Sequence, residues 1–114
     1  MAVRKEYRAE LETLKADVLK MGELATAAAE NAIKALVAHD KDLASRLIEE
    51  NSVIDKIEFD IENHCMKLLA LQQPMAGDLR MIGTCLKIIT DFDRISDLAG
   101  DIAEIVLILS LIHI

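Results

Sequence analysis

The sequence predicts an all-α fold, a long up-down-up three-helix bundle. Three observations lead there. Apolar residues recur at alternating steps of three and four through three long segments. One Pro and four Gly in 114 residues leave few places for the chain to turn. No stretch alternates apolar and polar residues with the period of a strand.

The first segment places Tyr7, Leu11, Leu14, Val18, Met21, Ala25, Ala28, Ala32 and Ala35 on one seam. That spacing predicts one helix over 3–37, roughly 50 Å long at the α-helical rise. Its second half narrows to alanine, so a neighbouring backbone can approach closely there. Ala38-His39-Asp40-Lys41 then breaks the pattern, and Asp40 has the side chain of an N-cap for the second helix.

The second helix is predicted over 41–71, with its seam at Leu43, Leu47, Ile54, Ile57, Ile61, Leu68 and Leu71. Glu50 and His64 stand at two positions of that seam where apolar groups are expected. Gln72-Gln73-Pro74 stops the helix, because the residue before a proline is pushed out of the α region. The third helix is predicted over 76–110. Its seam reads Met81, Cys85, Ile88, Phe92, Ile95, Ala99, Ile102, Val106 and Leu109, and a second apolar edge runs beside it at Ile82, Leu86 and Ile89. Connections this short make consecutive helices antiparallel neighbours. The end of the chain, Leu111-Ile112-His113-Ile114, is apolar and uncapped, and is expected to pack on another copy or on further chain.

Composition excludes several functions. Thirteen Lys+Arg against twenty Asp+Glu give a formal net charge of −7, the wrong sign for tracking a phosphate backbone, and three aromatics cannot form a base-stacking platform. The run Ile105–Ile112 is far shorter than the ~20 residues of a membrane span, and the charged N-terminus lacks a signal-peptide core. Two cysteines fit a reducing compartment better than a disulfide framework, so a cytoplasmic protein is expected. Cys65 and Cys85 stand nearly equidistant from Pro74. They read as free buried thiols, with a disulfide or a His64-assisted metal site as alternatives. His39 and His113 read as exposed, and Arg80 and Arg94 as ion-pair partners before anion ligands. No nucleophile–base set and no Gly-rich phosphate loop is present, so no enzyme is expected.

Chemistry concentrates in the acidic residues. Asn51, Asp55, Glu58 and Glu62 share one face of the second helix; Asp93, Asp97 and Asp101 share one face of the third, with Glu104 close behind. If the chain turns at Pro74, Asp55 and Asp93 stand equidistant from the turn and so face each other, as do Asn51 and Asp97. Like charges one helical turn apart cost ~0.2–0.5 kcal/mol per pair, and Asp93 continues the apolar edge of Leu86 and Ile89. One reading is a solvated acidic face on a metal-free scaffold or dimerisation module. The sharper one is a hard cation held by carboxylate oxygens from two helices, with Asp55, Asp93, Asp97, Asn51, Glu58 and Asp101 as candidate ligands. No His lies level with the cluster, which argues against a Glu-x-x-His di-iron oxidase and disfavours zinc; iron, manganese or magnesium fit the ligand set better.

The segment Gln72-Gln73-Pro74-Met75-Ala76-Gly77-Asp78-Leu79-Arg80, followed by Phe92-Asp93-Arg94-Ile95-Ser96-Asp97, resembles the PhoU family. The first matches the family's QP-x-A-x-DLR turn, the second its L-E-R-I-G-D segment, with Asp for Glu and Ser for Gly. Glu50–Glu58 resembles the family's acidic D-x-x-x-D start of the second helix, and the likeness runs from about Tyr7 to Ile105. The resemblance implies one PhoU-like three-helix domain over 1–114, a repeat that usually occurs twice per chain. It implies a pair of motifs that in some members binds metal clusters, often iron, carried here by Asp93 and Asp97 of one motif and Asn51 and Asp55 of the other; manganese, magnesium or zinc stay open as alternatives, and Asn51 puts a neutral amide where the motif has a carboxylate. It also implies a non-enzymatic negative regulator of phosphate uptake and phosphate-starvation signalling. Such a regulator acts with a phosphate ABC transporter and a sensor histidine kinase, and another PhoU-like repeat is the expected partner, as a homo-oligomer, a dimer.

Overall fold

A computed structural model of the chain describes residues 2–71 and 75–112. Three helices account for nearly all of them: α1 (Ala2–Ala38), α2 (Lys41–Leu71) and α3 (Ala76–Ile112). Together they form a rod of 66 × 17 × 16 Å. The bounds extend the predicted first and third helices by one or two residues and match the second.

Cross-helix contacts give the directions. His64 on α2 faces Glu10 on α1 at 3.9 Å, whereas Leu24, Ala28 and Asn31 further along α1 share a pocket with Glu50 and Ile54 at the other end of α2. These two helices are antiparallel. Between α1 and α3 the register is constant: Lys15 acts on Cys85, and Gly22 lies against the Phe92 ring. Those helices run parallel, and each contacts α2 as well.

The turn between α1 and α2 is closed by backbone geometry. His39 takes φ of 55°, and the Asp40 N–H donates back to the Ala35 carbonyl at 2.9 Å, which ends α1 in a Schellman motif. Asp40 Oδ1 then accepts from the Leu43 N–H at 3.0 Å and caps α2, as expected. At the start of α3, Asp78 Oδ2 accepts from the Met75 N–H at 3.3 Å, the returning half of a capping box. The proline stop at Gln72-Gln73-Pro74 and the expected exposure of His113 lie outside the described residues.

All nine seam residues of α1 are buried, as are Leu47, Ile54, Ile61 and Leu68 of α2. Helix α3 departs from its predicted seam. The buried positions are Ile82, Cys85, Ile89, Ser96, Ala99, Ala103 and Val106, while Ile95 and Leu109 are each 40% exposed. The physical reason is that α3 is apolar on two faces, and the face carrying small residues is the one that admits α1 and α2 closely. Gly22 marks a close approach of α1 and α3: a Cβ there would lie 2.7 Å from Phe92 Cζ.

Candidate functional site

Helices α2 and α3 bring three carboxylates together about midway along the rod. Asp55, Asp93 and Asp97 each present an oxygen within 4.8 Å of the others. Asp55 comes from α2, and Asp93 and Asp97 from successive turns of α3, so the antiparallel register places the cluster as the spacing from Pro74 predicts. Asp55 and Asp97 reach solvent, whereas Asp93 is half-buried, and its Oδ1 is shut away from water with no hydrogen-bond partner among the described residues.

That burial has an electrostatic consequence. The Asp93 carboxyl is pushed up to about 7, first by burial, then by a hydrogen bond to Asp55 that a protonated Asp93 can donate, and then by the charges of Glu58, Asp55 and Asp97. Glu58 is raised as well, by burial first and then by Glu62, Asp55 and Asp97. Asp93 on α3 and Glu58 on α2 therefore resist ionisation beside the other carboxylates of the cluster, and a cation would relieve them.

Asn51 sits one turn along α2 from Asp55 and serves a different neighbour. Its Oδ1 accepts from the Ser96 hydroxyl at 2.7 Å, and its Nδ2 donates to Asp97 Oδ1 at 3.4 Å. The amide thus ties the Asp97 carboxylate to the core. Asp101 lies outside the trio, lining an open cleft of about 300 Å³ with Ile48, Asn51, Asp97, Gly100 and Glu104. Of the six residues predicted to hold metal, the structure gathers Asp55, Asp93 and Asp97, sets Glu58 and Asn51 beside them, and leaves Asp101 in the adjoining cleft.

Sequence reading missed Ser96. It is 2% exposed on the core face of α3, and it orients the Asn51 amide. The available signal was a small polar residue one step before Asp97, at a position matching the inner edge of Ile82 and Ile89. Other expectations fall away from the site. Cys65 and Cys85 are buried free thiols, close enough that Cys85 helps raise Cys65 to about 11, although burial is the larger cause. His64 lies beside Glu10. Arg80 and Arg94 are exposed and make no ion pair among the described residues, contrary to expectation: in open solvent water competes for both guanidinium groups, and an exposed pair gains little.

Comparison with known proteins places this geometry in a family. Residues 18–106 match the PhoU domain. The chain belongs to the PhoU family. It is 43% identical over 101 residues to the "Phosphate-specific transport system accessory protein PhoU homolog" of Aquifex aeolicus, covering 89% of this chain and 46% of that one. It is 34% identical over 99 residues to the accessory protein PhoU of Escherichia coli K12, covering 87% and 41%. Among solved structures, the phosphate transport system regulatory protein PhoU of Streptococcus pneumoniae superposes with a TM-score of 0.84 at 33% identity, over 89% of this chain and 48% of that one. The chain therefore spans about half the length of these PhoU relatives. No helix among the described residues is long and apolar enough to cross a membrane.

Proposed function

We propose that this chain is a regulatory unit of phosphate transport that binds a metal ion between α2 and α3. The observation that carries the metal reading is the Asp93 carboxylate. Its inner oxygen has lost water without gaining a donor, at the centre of a cluster of acids. An orphaned buried acceptor costs ~1–3 kcal/mol, more when charged, and a cation is the partner that satisfies three carboxylates at once.

The donor set fits the group. Carboxylate oxygens suit hard cations; iron is the first choice, with manganese, magnesium or zinc as alternatives. Asp55, Asp93 and Asp97 would hold the ion, with Glu58 nearest in support, and the ion would supply positive charge that pins α2 to α3. Asn51 keeps Asp97 turned towards the cluster. Through its family likeness the chain would act as a non-enzymatic negative regulator of phosphate uptake and of phosphate-starvation signalling. It would work in the cytoplasm with a phosphate ABC transporter and a sensor histidine kinase, and would pair with another PhoU-like repeat. The fold supports regulation through contacts over direct phosphate sensing: a chain of net charge −7 repels phosphate.

Elemental analysis after gentle purification tests the metal assignment. Metal in the native chain and its loss in Asp93→Asn/Asp97→Asn is the expected result. Equal metal in both chains overturns the site. A chain without metal that gains no stability from added Mn²⁺ or Fe³⁺ is instead a helical scaffold whose acids serve solubility.

A further inference from the structure

Thr13, Ser52, Thr90 and Ser110 each turn their hydroxyl back to a carbonyl three or four residues earlier in their own helix. Ser96 does not. Buried on the core face of α3, it donates across to Asn51 Oδ1 on α2 at 2.7 Å. The Asn51 amide is thereby enclosed by three residues of α3. These are Ser96, Asp97 and Gly100, where a Cβ would lie 3.7 Å from Asn51 Nδ2. The chemistry of the neighbours fixes which way the amide faces. A carboxylate only accepts hydrogen bonds, so the 3.4 Å contact with Asp97 Oδ1 comes from Nδ2, and Asn51 Oδ1 is left for the Ser96 hydroxyl. The reverse orientation would set acceptor against acceptor. Asn51, a candidate ligand by its place in the sequence, thus turns into the core the oxygen with which an amide ligates a metal.

Asp97 stands at a boundary. It belongs to the trio with Asp55 and Asp93, and it also lines the cleft that holds Asn51, Asp101 and Glu104. The two sides of that boundary are unlike. On the trio side, Asp93 Oδ1 is buried and lacks a partner among the described residues. On the cleft side, the Asn51 amide presents its hydrogens, so a cation approaching Asp97 from there meets the positive end of the amide dipole. What else the cleft offers is Asp101 and Glu104, two exposed acids within one turn of α3 that water already solvates.

We propose that Ser96, by fixing the Asn51 amide, makes Asn51 a positioning residue and limits this acidic face to one metal ion. Asp55, Asp93 and Asp97 hold a hard cation, and the cleft beyond Asp97 takes none. The inference rests on the metal reading above, and adds the number of ions and the residue that sets it. One atom decides the count. A carboxylate at position 51 would still offer Ser96 an acceptor, but its second oxygen would face the cleft. There it would join Asp97, Asp101 and Glu104 in a ligand set made only of carboxylates, the kind a second hard cation takes. With the amide in place, Asp97 is instead held at Oδ1 by a neutral donor and serves the trio alone.

The test is to strip the 114-residue chain with EDTA, titrate it with Mn²⁺ by calorimetry, and count the Mn²⁺ retained after gel filtration. One equivalent per chain is expected for the native protein and two for Asn51→Asp. In EDTA at neutral pH, Asn51→Asp should unfold at a lower temperature than the native chain, because the new carboxylate faces Asp97, and Mn²⁺ should restore it. Ser96→Ala should keep one equivalent and the native helicity but bind that ion ~10-fold more weakly, the low end of the loss when a group that orients a ligand is removed. Two equivalents on the native chain overturn the proposal. So does a single equivalent on Asn51→Asp, an Asn51→Asp chain as stable as the native one in EDTA, or a Ser96→Ala chain that binds Mn²⁺ as tightly as the native one. No Mn²⁺ on the native chain overturns the metal reading and this proposal with it, so the two failures give different counts.

Discussion

Replacing Asp93 by Asn removes one charge from the most crowded point of the rod, and its effect can be worked from the structure. Asp93 titrates near 7 in the fold, against about 3.9 in an unfolded chain. Between those values the folded state holds a proton that the unfolded state has released, so stability falls as pH rises from about 4 to about 7 and stays low above it. Linkage puts a ceiling of ~4 kcal/mol on that loss, but Asp55 and Asp97 are open to solvent that screens them, and about 1–2 kcal/mol is expected. In Asp93→Asn the slope should vanish, and the amide can donate to the neighbouring carboxylates that now lack a donor. The assay is urea or thermal unfolding in EDTA from pH 5 to 8, on both chains. The variant should match the native chain at pH 5 and exceed it at pH 8, by about 4–10 °C in midpoint for a domain of this size. Added metal should reverse the order, because a cation at a hundredfold excess over its dissociation constant adds ~2.7 kcal/mol to the native chain alone. Parallel pH profiles, or a variant weaker at pH 8 without metal, would refute the reasoning.

Three other perturbations have outcomes set by the same structure. Gly22→Leu should cost about 2–3 kcal/mol in urea unfolding, because its side chain meets the Phe92 ring; a double-mutant cycle with Phe92→Ala should show strong positive coupling. Asn51→Ala leaves the buried Ser96 hydroxyl without its acceptor and frees Asp97, at a cost of about 1–3 kcal/mol in unfolding and with weaker metal retention. Cys65, raised to about 11 by burial, should resist a thiol reagent at pH 8 in the folded chain and react only as fast as the bundle opens.

The fold was legible because α1 and α2 each have one apolar face. Every seam residue of α1 from Tyr7 to Ala35 is buried, and distance from Pro74 was enough to set Asp55 against Asp93. Helix α3 was legible only in part. Periodicity reports that a face is apolar and not what covers it, so with two such faces the larger side chains of Ile95 and Leu109 outweighed the alanines and serine that enter the core. At the site, spacing found the acids but not their support. Ser96 and Asn51 act through a hydrogen bond between helices, which leaves no periodic trace.

A rod 66 Å long and 17 Å across has a core only one residue deep at each level. Each layer rests on the layers above and below it, so such a rod behaves as a stack whose ends can open while its centre holds. The acid cluster occupies that centre, where opening at the ends cannot disperse the charge. With the carboxylates unneutralised, the middle layer is the one their repulsion weakens most, so it couples the two halves of the rod less firmly than packing alone would. A cation bound there would tie them more firmly, and the rod would open more nearly as one cooperative unit. Amide exchange along α3, read with and without metal, would show the difference as protection that spreads outwards from Asp93.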